Sequence, residues 1–263
     1  MIGVFDSGLG GLSVLAAIAR ALPRADLMYL ADTGHVPYGA KSEAFIQGRV
    51  LAIGDHLVAQ GCRLIVVACN TATAAAITAL RQRHPSIPVV GIEPGVKPAA
   101  QSSRSGRIAV LATEITTRSE RLQRLVRDHA GHVQVHLEAC PGWATRVETL
   151  ALNDPAFVAE IAAKVQPLLA AGVDRIVLGC THYSFLKPVL EPLVSGQAEL
   201  VDVADAVARQ VVRLAPAMQE NAHQAHLALL ATARPEQLQA ALPALGLGWL
   251  AQRSTQAARF SAV

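Results

Sequence analysis

The chain of 263 residues is poor in aromatic side chains and in charge: phenylalanine, tryptophan and tyrosine make up 4% of it and charged residues 16%. It contains no run of lysine and arginine, and its 23 basic residues are nearly balanced by 20 acidic ones. Proteins that bind nucleic acid need a basic stripe or aromatic platforms on which bases stack. The composition therefore argues against nucleic acid as a main partner.

Features of membrane and exported proteins are missing as well. No stretch approaches the roughly 18 consecutive apolar residues that span a bilayer, and the start MIGVFDSG lacks the basic and then apolar segments of a leader. We therefore expect a cytoplasmic protein with no membrane partner. The four cysteines, Cys62, Cys69, Cys140 and Cys180, include no CxxC pair, so free thiols are expected rather than a zinc site or a disulfide framework.

Short apolar runs alternate with longer helical patterns along the chain. The runs are IGVF, DLMYLAD, RLIVVAC, VVGI, RIAVLAT, VQVHLEAC, RIVLGC and AELVDV. Buried strands of a parallel sheet read as continuous apolar runs, and their alternation with helices is typical of α/β proteins. The pattern predicts an α/β fold with largely parallel sheets.

The apolar runs fall into two similar halves. GVFDSG from Gly3 and AVLATE from Ala109 both pass from a strand into a polar loop, and LIVVAC and IVLGC form a second such pair. The proline-, glycine- and serine-rich GIEPGVKPAAQSSRSG is typical of a crossover. We expect two pseudosymmetric open α/β domains with a cleft between them, 1–94 plus 207–263 and 95–206. The tail from about Ala206 is predicted to be helical and to return to the first domain.

Cys69 and Cys180 stand in matching contexts, each after an apolar run and each before small polar side chains, ACNT and GCTH. Ligands of open α/β sheets bind beyond the carboxyl ends of the strands, where helix amino ends present free N–H groups. These N–H groups and the helix dipole also favour a thiolate. Two thiols in this position could therefore face one substrate, whereas Cys62 and Cys140 are interpreted as packing residues.

The polar neighbours of these two cysteines each allow a functional and a plain structural interpretation. Asp6 after the first strand could orient a thiol, accept a proton or hold an ammonium group, or it could cap the first helix. His182 could exchange protons with Cys180, or it could lie on a helix surface. The residues that could donate to a carboxylate, or instead cap the following helices, are Asn70, Thr71 and Thr181.

A glycine-rich segment gives a competing interpretation. Residues 8–13, GLGGLS, follow the first strand and Asp32 ends the second, which resembles a dinucleotide-binding fingerprint. The third glycine is replaced by Ser13, however, and Asp6 at the head of the loop would repel a pyrophosphate. No Gly-Lys-Ser/Thr follows the glycines, so a Walker loop is excluded. A non-catalytic ligand- or nucleotide-binding protein is the alternative from another functional class.

Six segments in order carry a family resemblance: FDSGLGGLSVL (5–15), ADTGHVPYGAKS (31–42), VACNTATAAAI (67–77), GIEP (91–94), LATEITTRS (111–119) and LGCTHYSFLKPVL (178–190). Together they resemble glutamate racemases, and the match covers nearly the whole chain. The resemblance implies two α/β domains around a cleft, and interconversion of L- and D-glutamate with no cofactor, neither pyridoxal phosphate nor metal. It also implies a supply of D-glutamate for peptidoglycan and, as in many relatives, a homodimer.

The resemblance further implies roles for single residues. Cys69 and Cys180 would be the two bases: one removes the Cα proton and the other delivers a proton to the opposite face, with Cys69 acting on D-glutamate and Cys180 on L-glutamate. Asp6 would assist Cys69 and His182 would assist Cys180. Glu148 matches a further family acid near the second thiol, with a helix-surface carboxylate as the alternative. The residues that would surround the substrate are Asp6, Ser7, Pro37, Tyr38, Gly39, Asn70, Thr71, Thr113, Thr116, Thr181 and His182.

Domain closure over the substrate is expected, because charge that develops at Cα without a cofactor needs a water-poor site. The chain begins directly at the first predicted strand, so no activation by a cell-wall precursor is expected. A racemase of the same superfamily that acts on aspartate, a hydantoin or another small acid is the nearer alternative to a glutamate racemase.

Overall fold

The computed structural model describes residues 1–215 and 225–260. The chain divides into two compact units, Met1–Ile92 with Ala204–Val263, and Glu93–Val203. Each unit is built on its own parallel sheet, so the predicted α/β fold with parallel sheets is confirmed. Within the part of the chain that the structure describes, every helix is too short or too polar to cross a bilayer.

The strands of the two sheets come in chain order. They are β1 (Ile2–Asp6), β2 (Leu27–Ala31), β3 (Leu64–Val67), β4 (Val89–Gly91), β5 (Arg107–Ala112), β6 (Gln134–Ala139), β7 (Arg175–Leu178), β8 (Glu199–Val201), β9 (Leu227–Ala231) and β10 (Ala258–Arg259). The first unit orders its strands β10-β9-β2-β1-β3-β4, and the second β6-β5-β7-β8. All neighbouring pairs are parallel.

Helices connect the strands, as parallel pairing requires. They are α1 (Leu12–Ala21), α2 (Glu43–Ala59), α3 (Asn70–Arg83), α4 (Val96–Ser102), α5 (Glu114–Arg118), α6 (Glu120–His129), α7 (Trp143–Glu148), α8 (Pro155–Ala170), α9 (Lys187–Val194), α10 (Ala204–Leu214), α11 (Pro235–Ala244) and α12 (Gly248–Ala251). Two short 3-10 helices span Tyr38–Ala40 and Thr181–Leu186.

The central strands of both sheets are buried along almost their whole length. Every residue of β1, β3 and β7 is buried, and in β5 only the first residue is exposed. Strands covered on both faces exclude polar side chains, which explains their continuous valine, isoleucine and leucine runs. The polar residues of these segments are therefore confined to the strand ends.

The two sheets share one topology. In the order β2-β1-β3-β4 and in the order β6-β5-β7-β8, the first strand of the unit is central and the third strand lies beside it. Cys69 follows β3 by two residues, and Cys180 follows β7 by two residues. Each thiol thus occupies the equivalent position in its own sheet, which gives the internal sequence repeat a structural basis.

The tail departs from the prediction. It does contain helices α10, α11 and α12, but Leu227–Ala231 forms β9 and pairs with β2, and Ala258–Arg259 pairs with β9. The prediction of a helical tail was wrong there, because the leucine- and alanine-rich LALLA favours a helix locally while the free edge of β2 binds it as a strand. Residues 216–224 and 261–263, which the prediction also covered, lie outside the described residues.

Candidate active site

The carboxyl ends of β1, β2 and β3 bring three polar side chains to one edge of the first sheet. Asp6 ends β1, Asp32 follows β2 and Cys69 follows β3. Backbone hydrogen bonds from Asp32 N to Asp6 O, 2.9 Å, and from Ala68 N to Phe5 O, 2.8 Å, hold these ends together. Both aspartates are fully buried and Cys69 is 5% exposed. The sheet edge thus gathers charge and a thiol in a place shielded from water.

Cys69 caps α3 and is linked to a carboxylate through a hydroxyl. Its Sγ accepts a hydrogen bond from Ala72 N at 3.5 Å, which places the sulfur at the amino end of α3. The thiol donates to Ser7 Oγ at 3.8 Å, and Ser7 Oγ donates to Asp6 Oδ1 at 2.9 Å. The N–H group and the helix dipole stabilise a thiolate at this position. Cys69 can therefore hold or release a proton beside a polar pair.

The glycine-rich loop packs against Asp6. A Cβ at Gly11 would lie 2.6 Å from Asp6 Cβ and 2.9 Å from its Oδ2, so the missing side chain makes room for the aspartate. Tyr29 Oη donates to Gly8 O at 2.6 Å, and residues 8–11 are buried. The cap of α1 is Gly11 and not Asp6, which removes the capping interpretation. The loop encloses a carboxylate of the protein, which argues against a nucleotide in the same place.

Tyr38 lies beside Cys69. It begins the 3-10 helix Tyr38–Ala40 after Pro37, and it is 1% exposed, whereas Pro37 and Gly39 are half-buried. Burial, then the charge of Asp32 and the hydrogen bond to it, raise the pKa of Tyr38, and the charge of a thiolate at Cys69 acts in the same direction. The hydroxyl therefore stays protonated and serves as a donor.

Asp32 is the acceptor that holds Tyr38, and it has two further partners. Arg49 on α2 forms two hydrogen bonds of 3.0 Å to the carboxylate, and His35 Nδ1 lies 2.9 Å from Oδ1. Burial alone would raise the pKa of Asp32, but the hydrogen bonds from Arg49, Tyr38 and His35 outweigh it and hold the pKa below its usual value. Sequence reasoning missed Arg49 and His35, because no local pattern links a helix residue to Asp32.

Asn70 follows Cys69 at the start of α3 and is 5% exposed. Neither Nδ2 nor Oδ1 of this amide has a hydrogen-bond partner within residues 1–215 and 225–260. A buried polar group left without a partner costs about 1–3 kcal/mol. Since Cys69 provides the cap of α3, the amide is not needed for capping. It offers a donor and an acceptor to a polar ligand, next to the buried Thr71.

In the second unit, Cys180 is set against the central strand β5. Gly179 N donates to Leu111 O at 2.7 Å, and a Cβ on Gly179 would lie 2.9 Å from the same oxygen, so a side chain does not fit there. Cys180 is 6% exposed and precedes a 3-10 helix, with no cap hydrogen bond from its side chain. A helix does start after Cys180, as predicted, but it is a 3-10 helix that the thiol does not cap, and the thiol has a different support.

That support is a histidine paired with a glutamate. Cys180 Sγ lies 3.6 Å from His182 Nδ1, and His182 Nε2 lies 2.6 Å from Glu148 Oε1 at the end of α7. His182 is 3% exposed and the Glu148 side chain 13%. Burial lowers the pKa of His182, but the hydrogen bonds and charges of Cys180 and Glu148 raise it well above its usual value. Neither residue lies on a helix surface, and the imidazolium faces the sulfur.

Hydroxyl groups complete the same edge of the second unit. Thr113 caps α5 by accepting from Thr116 N at 3.2 Å, and its own hydroxyl donates to Thr116 Oγ1 at 3.0 Å. Thr116 is 2% exposed and Thr181 3%. These hydroxyls lie near the carboxyl ends of β5 and β7, the strands that also position Cys180. Thr116 and Thr181 are short, buried hydroxyl side chains at a place where an anionic group can be bound.

The other two cysteines are buried as well, and burial is the largest influence on their pKa values. Burial raises the pKa of Cys62 to about 11 and that of Cys140 to about 12. Both thiols are therefore neutral at ordinary pH, in keeping with a packing role. In residues 1–215 and 225–260, no group of three or more histidine, cysteine or acidic side chains is arranged to hold a metal ion.

The chain matches a known protein family over most of its length. A family model described as Asp/Glu/hydantoin racemase covers residues 2–211. The chain is similar to the glutamate racemase of Ectopseudomonas mendocina, with 51% identity over 213 residues and 81% of each chain covered. It is 45% identical to that of Pseudomonas aeruginosa over 246 residues, 93% of each chain. Among solved structures, it is similar to Escherichia coli glutamate racemase in complex with L-glutamate and the activator UDP-MurNAc-ala, with a TM-score of 0.85, 30% identity and coverage of 100% of this chain and 98% of that one.

Proposed function

This chain belongs to the Asp/Glu/hydantoin racemase family, and from that premise we propose that it interconverts L- and D-glutamate by proton transfer at Cα between Cys69 and Cys180. Its curated relatives at 45–51% identity are glutamate racemases. One observation carries the mechanism: the two thiols follow β3 and β7, the equivalent strands of two sheets with the same order. Inversion of Cα needs one acid-base group on each face, and a repeated fold supplies such a pair.

The proton transfers balance without an added reactant. In the L-to-D direction the Cys180 thiolate removes the Cα proton, and the C–H electron pair remains on a planar carbanion. The Cys69 thiol then delivers its proton to the opposite face, where that electron pair forms the new C–H bond. Turnover leaves Cys69 as thiolate and Cys180 as thiol, which is the state that D-glutamate requires. The assignment of each thiol to one enantiomer rests on the resemblance to glutamate racemases.

The neighbours of each thiol support its proton transfer. In the first unit, Ser7 Oγ accepts a hydrogen bond from the Cys69 thiol and donates one to Asp6. In the second unit, the His182 imidazolium stabilises a thiolate at Cys180, and Glu148 stabilises the imidazolium. Charge-assisted hydrogen bonds of this kind are stronger than neutral ones.

Amide, hydroxyl and backbone N–H groups bind the charged ends of glutamate in this proposal. The unpartnered amide of Asn70 and the buried Thr116 carry the argument, because each places a polar group in a dry site near a thiol. Preorganised donors of this kind contribute about 3 kcal/mol each when charge develops in the transition state. The remaining residues proposed to contact substrate are Asp6, Ser7, Pro37, Tyr38, Gly39, Thr71, Thr113, Thr181 and His182.

We further propose that the protein acts in the cytoplasm as a homodimer and supplies D-glutamate for peptidoglycan. The cell-wall role follows from the activity, since that is what glutamate racemases provide. Both the location and the dimer rest on the resemblance to glutamate racemases. Sedimentation velocity at several protein concentrations tests the dimer, and rescue of a D-glutamate auxotroph tests the cell-wall role.

Replacing either proposed base tests the mechanism. Cys69→Ala and Cys180→Ala should each lower kcat by about 10²–10⁴-fold in both directions, because each direction uses both thiols. Circular dichroism measures the ellipticity of L- and D-glutamate and so follows their interconversion directly. Cys62→Ala removes a buried thiol without a polar neighbour of this kind and is the matched control, expected to keep its activity.

Two outcomes would contradict the proposal. Full activity in either alanine variant would remove the two-thiol mechanism. A substrate panel of glutamate, aspartate and hydantoins, read by the same optical assay, decides the substrate. Turnover of aspartate or a hydantoin in preference to glutamate would replace the proposed activity with another one of the family.

A further inference from the structure

We propose that Arg49 is a positioning residue for racemisation: acting through Asp32, it fixes the Tyr38 side chain beside Cys69. The inference rests on the proposed function, because it assumes that Cys69 exchanges a proton with the substrate. Arg49 binds Asp32, and Asp32 in turn binds Tyr38. Its effect passes through two buried contacts that can be altered one at a time.

The geometry of the contact is that of a rigid clamp. Arg49 Nε binds Asp32 Oδ2 and its terminal nitrogen binds Oδ1, both at 3.0 Å, a two-point contact that a planar guanidinium makes and an ammonium does not. Tyr38 Oη donates to Oδ2 of the same carboxylate at 2.6 Å. The side chain of Asp32 has no exposed surface and that of Arg49 is 15% exposed. The carboxylate orientation therefore determines where the tyrosine hydroxyl is held.

The charge of Asp32 depends on this arrangement. A carboxylate buried without a cation would take up a proton, because burial penalises the charged form. The titratable groups that contact Asp32 are Arg49 from α2 and His35 and Tyr38 from the loop after β2, and Cys69 lies next to Tyr38. Among these, Arg49 contributes the largest opposing effect on the pKa of Asp32. Loss of Arg49 leaves a carboxyl group that protonates more readily and can turn from acceptor to donor.

This contact gives Asp32 a role that the sequence pattern did not decide. Asp32 stands where a dinucleotide-binding protein would have its ribose-binding acid. Here both of its oxygens are taken by the arginine, the tyrosine and the histidine. Tyr38 and the adjacent Pro37 and Gly39 belong to the proposed substrate-binding set. Holding Tyr38 therefore also holds the loop that carries all three.

Arg49→Met tests the proposal in the intact enzyme, with Arg83→Met as the matched control. Arg83 makes the same two-point contact with Asp55, at 3.1 and 3.0 Å, but on the surface, with 60% of its side chain exposed. We expect Arg49→Met to lower kcat/KM for both enantiomers by more than about tenfold at pH 7, a change of about 1.4 kcal/mol in activation free energy. Arg83→Met should match the wild type.

The pH profile separates positioning from a general loss of stability. In Arg49→Met the pKa of Asp32 rises. On acidification, the activity of this variant should therefore begin to fall at a higher pH than that of the wild type. We expect the acid limb of kcat/KM to move up by about one pH unit or more, while the loss that comes from the missing two-point contact remains at alkaline pH. Arg49→Lys keeps the charge and loses the two-point geometry. It should lower kcat/KM several-fold, without moving the acid limb.

The results that would contradict a role for Arg49 differ from those that would contradict the racemase activity itself. A folded Arg49→Met enzyme with the wild-type acid limb would overturn the proposed role of Arg49. Should Arg49→Met fail to fold, Arg49→Lys decides: wild-type kinetics would overturn the proposal, and a several-fold loss at an unchanged melting temperature would support it. If wild type and Arg83→Met do not racemise glutamate at all, the proposed function itself fails.

Discussion

The two proposed bases have unlike surroundings. Cys69 is placed by a helix amino end and by a hydroxyl that leads to Asp6, whereas Cys180 is placed by an imidazole and a carboxylate. The hydrogen bonds from Cys69 lead through Ser7 to a carboxylate, whereas Cys180 lies directly beside an imidazole. The two directions of the reaction should therefore respond differently to pH, although they share the same two thiols.

Glu148→Gln tests the histidine side. Its first expected effect is on stability: because the pKa of His182 is raised in the folded protein, the ion pair contributes fully below the unfolded pKa of about 6.5 and is lost as pH rises through the folded pKa. The variant should lose about 1.4 kcal/mol of unfolding free energy at pH 6 for each unit by which the pKa of His182 falls. Urea unfolding at pH 6 and pH 9 measures this, and the loss should be smaller at pH 9.

Kinetics and a control complete that test. The alkaline limb of kcat/KM for L-glutamate should move to lower pH in Glu148→Gln, because His182 loses its proton sooner. Glu160→Gln is the matched control, since Glu160 accepts from Trp143 Nε1 at 3.0 Å and glutamine keeps that acceptor. An equal stability loss at both pH values would contradict the ion pair.

From the residues alone, contacts could be anticipated where the sequence places groups close together, and the resemblance to glutamate racemases added Glu148 near the second thiol. Cys180 and His182 are two residues apart, and Asp6 and Ser7 adjoin, so their contacts follow from local spacing. Arg49 was missed because its partner lies on another element and nothing near it in sequence marks the contact. Tertiary pairs of this kind need coordinates.

Among the elements, helix α1 begins directly against the site residue Asp6. Its cap residue Gly11 leaves the space that the Asp6 side chain occupies. Gly11→Ala would push a methyl group into that carboxylate, which should cost about 1–3 kcal/mol of unfolding free energy and displace Asp6 from Ser7. The racemisation rate should fall as well. Thermal unfolding and rate measurements on the same sample check the two effects.

Gly48→Ala gives the contrasting result within the same unit. Gly48 lies inside α2 and a Cβ there would meet no atom within 4 Å. Alanine should therefore stabilise the helix by about 0.5–1 kcal/mol and leave the rate unchanged. Equal effects of Gly11→Ala and Gly48→Ala would show that crowding at Gly11 does not cause the loss of stability and rate.

Eight of the strands could be predicted from their apolar runs, which are most continuous in the fully buried strands β1, β2, β3 and β7 and weaker in the partly buried β6 and β8. The strand β9 could not, because its leucines and alanines have no preference for extended structure and only pairing with β2 selects it. This pairing matters for the site. Thr33 exchanges two hydrogen bonds with the backbone of Ala233, and Gly34 N donates to Thr232 Oγ1 at 2.9 Å. The tail thereby fastens the start of the loop that carries Tyr38.

For the molecule as a whole, one unit is a continuous insert in the other. The two ends of Glu93–Val203 lie close together, since a Cβ on Gly95 would lie 2.9 Å from side-chain atoms of both Val201 and Val203. The insert has its own core. Its buried members are Val96, Ala99, Ala100, Ile108, Val110, Ala112, Leu122, Ala130 and Val177.

Residues 93–203 expressed alone should therefore fold. A domain of about 100 residues with one core usually unfolds cooperatively. We expect helical circular dichroism and a single urea transition with a slope of roughly 1–3 kcal/mol/M. A gradual, non-cooperative signal would show that this unit depends on the first one for stability.

The discontinuous first unit has a consequence for the order in which the protein matures during translation. Domains fold as they leave the ribosome, amino end first. The surroundings of Cys180 are complete once residue 203 has emerged, whereas Thr232 and Ala233 come later. A nascent chain stalled between these points would contain the folded second unit but would lack the hydrogen bonds that hold the Tyr38 loop. We therefore expect the enzyme to gain activity only near the end of its synthesis.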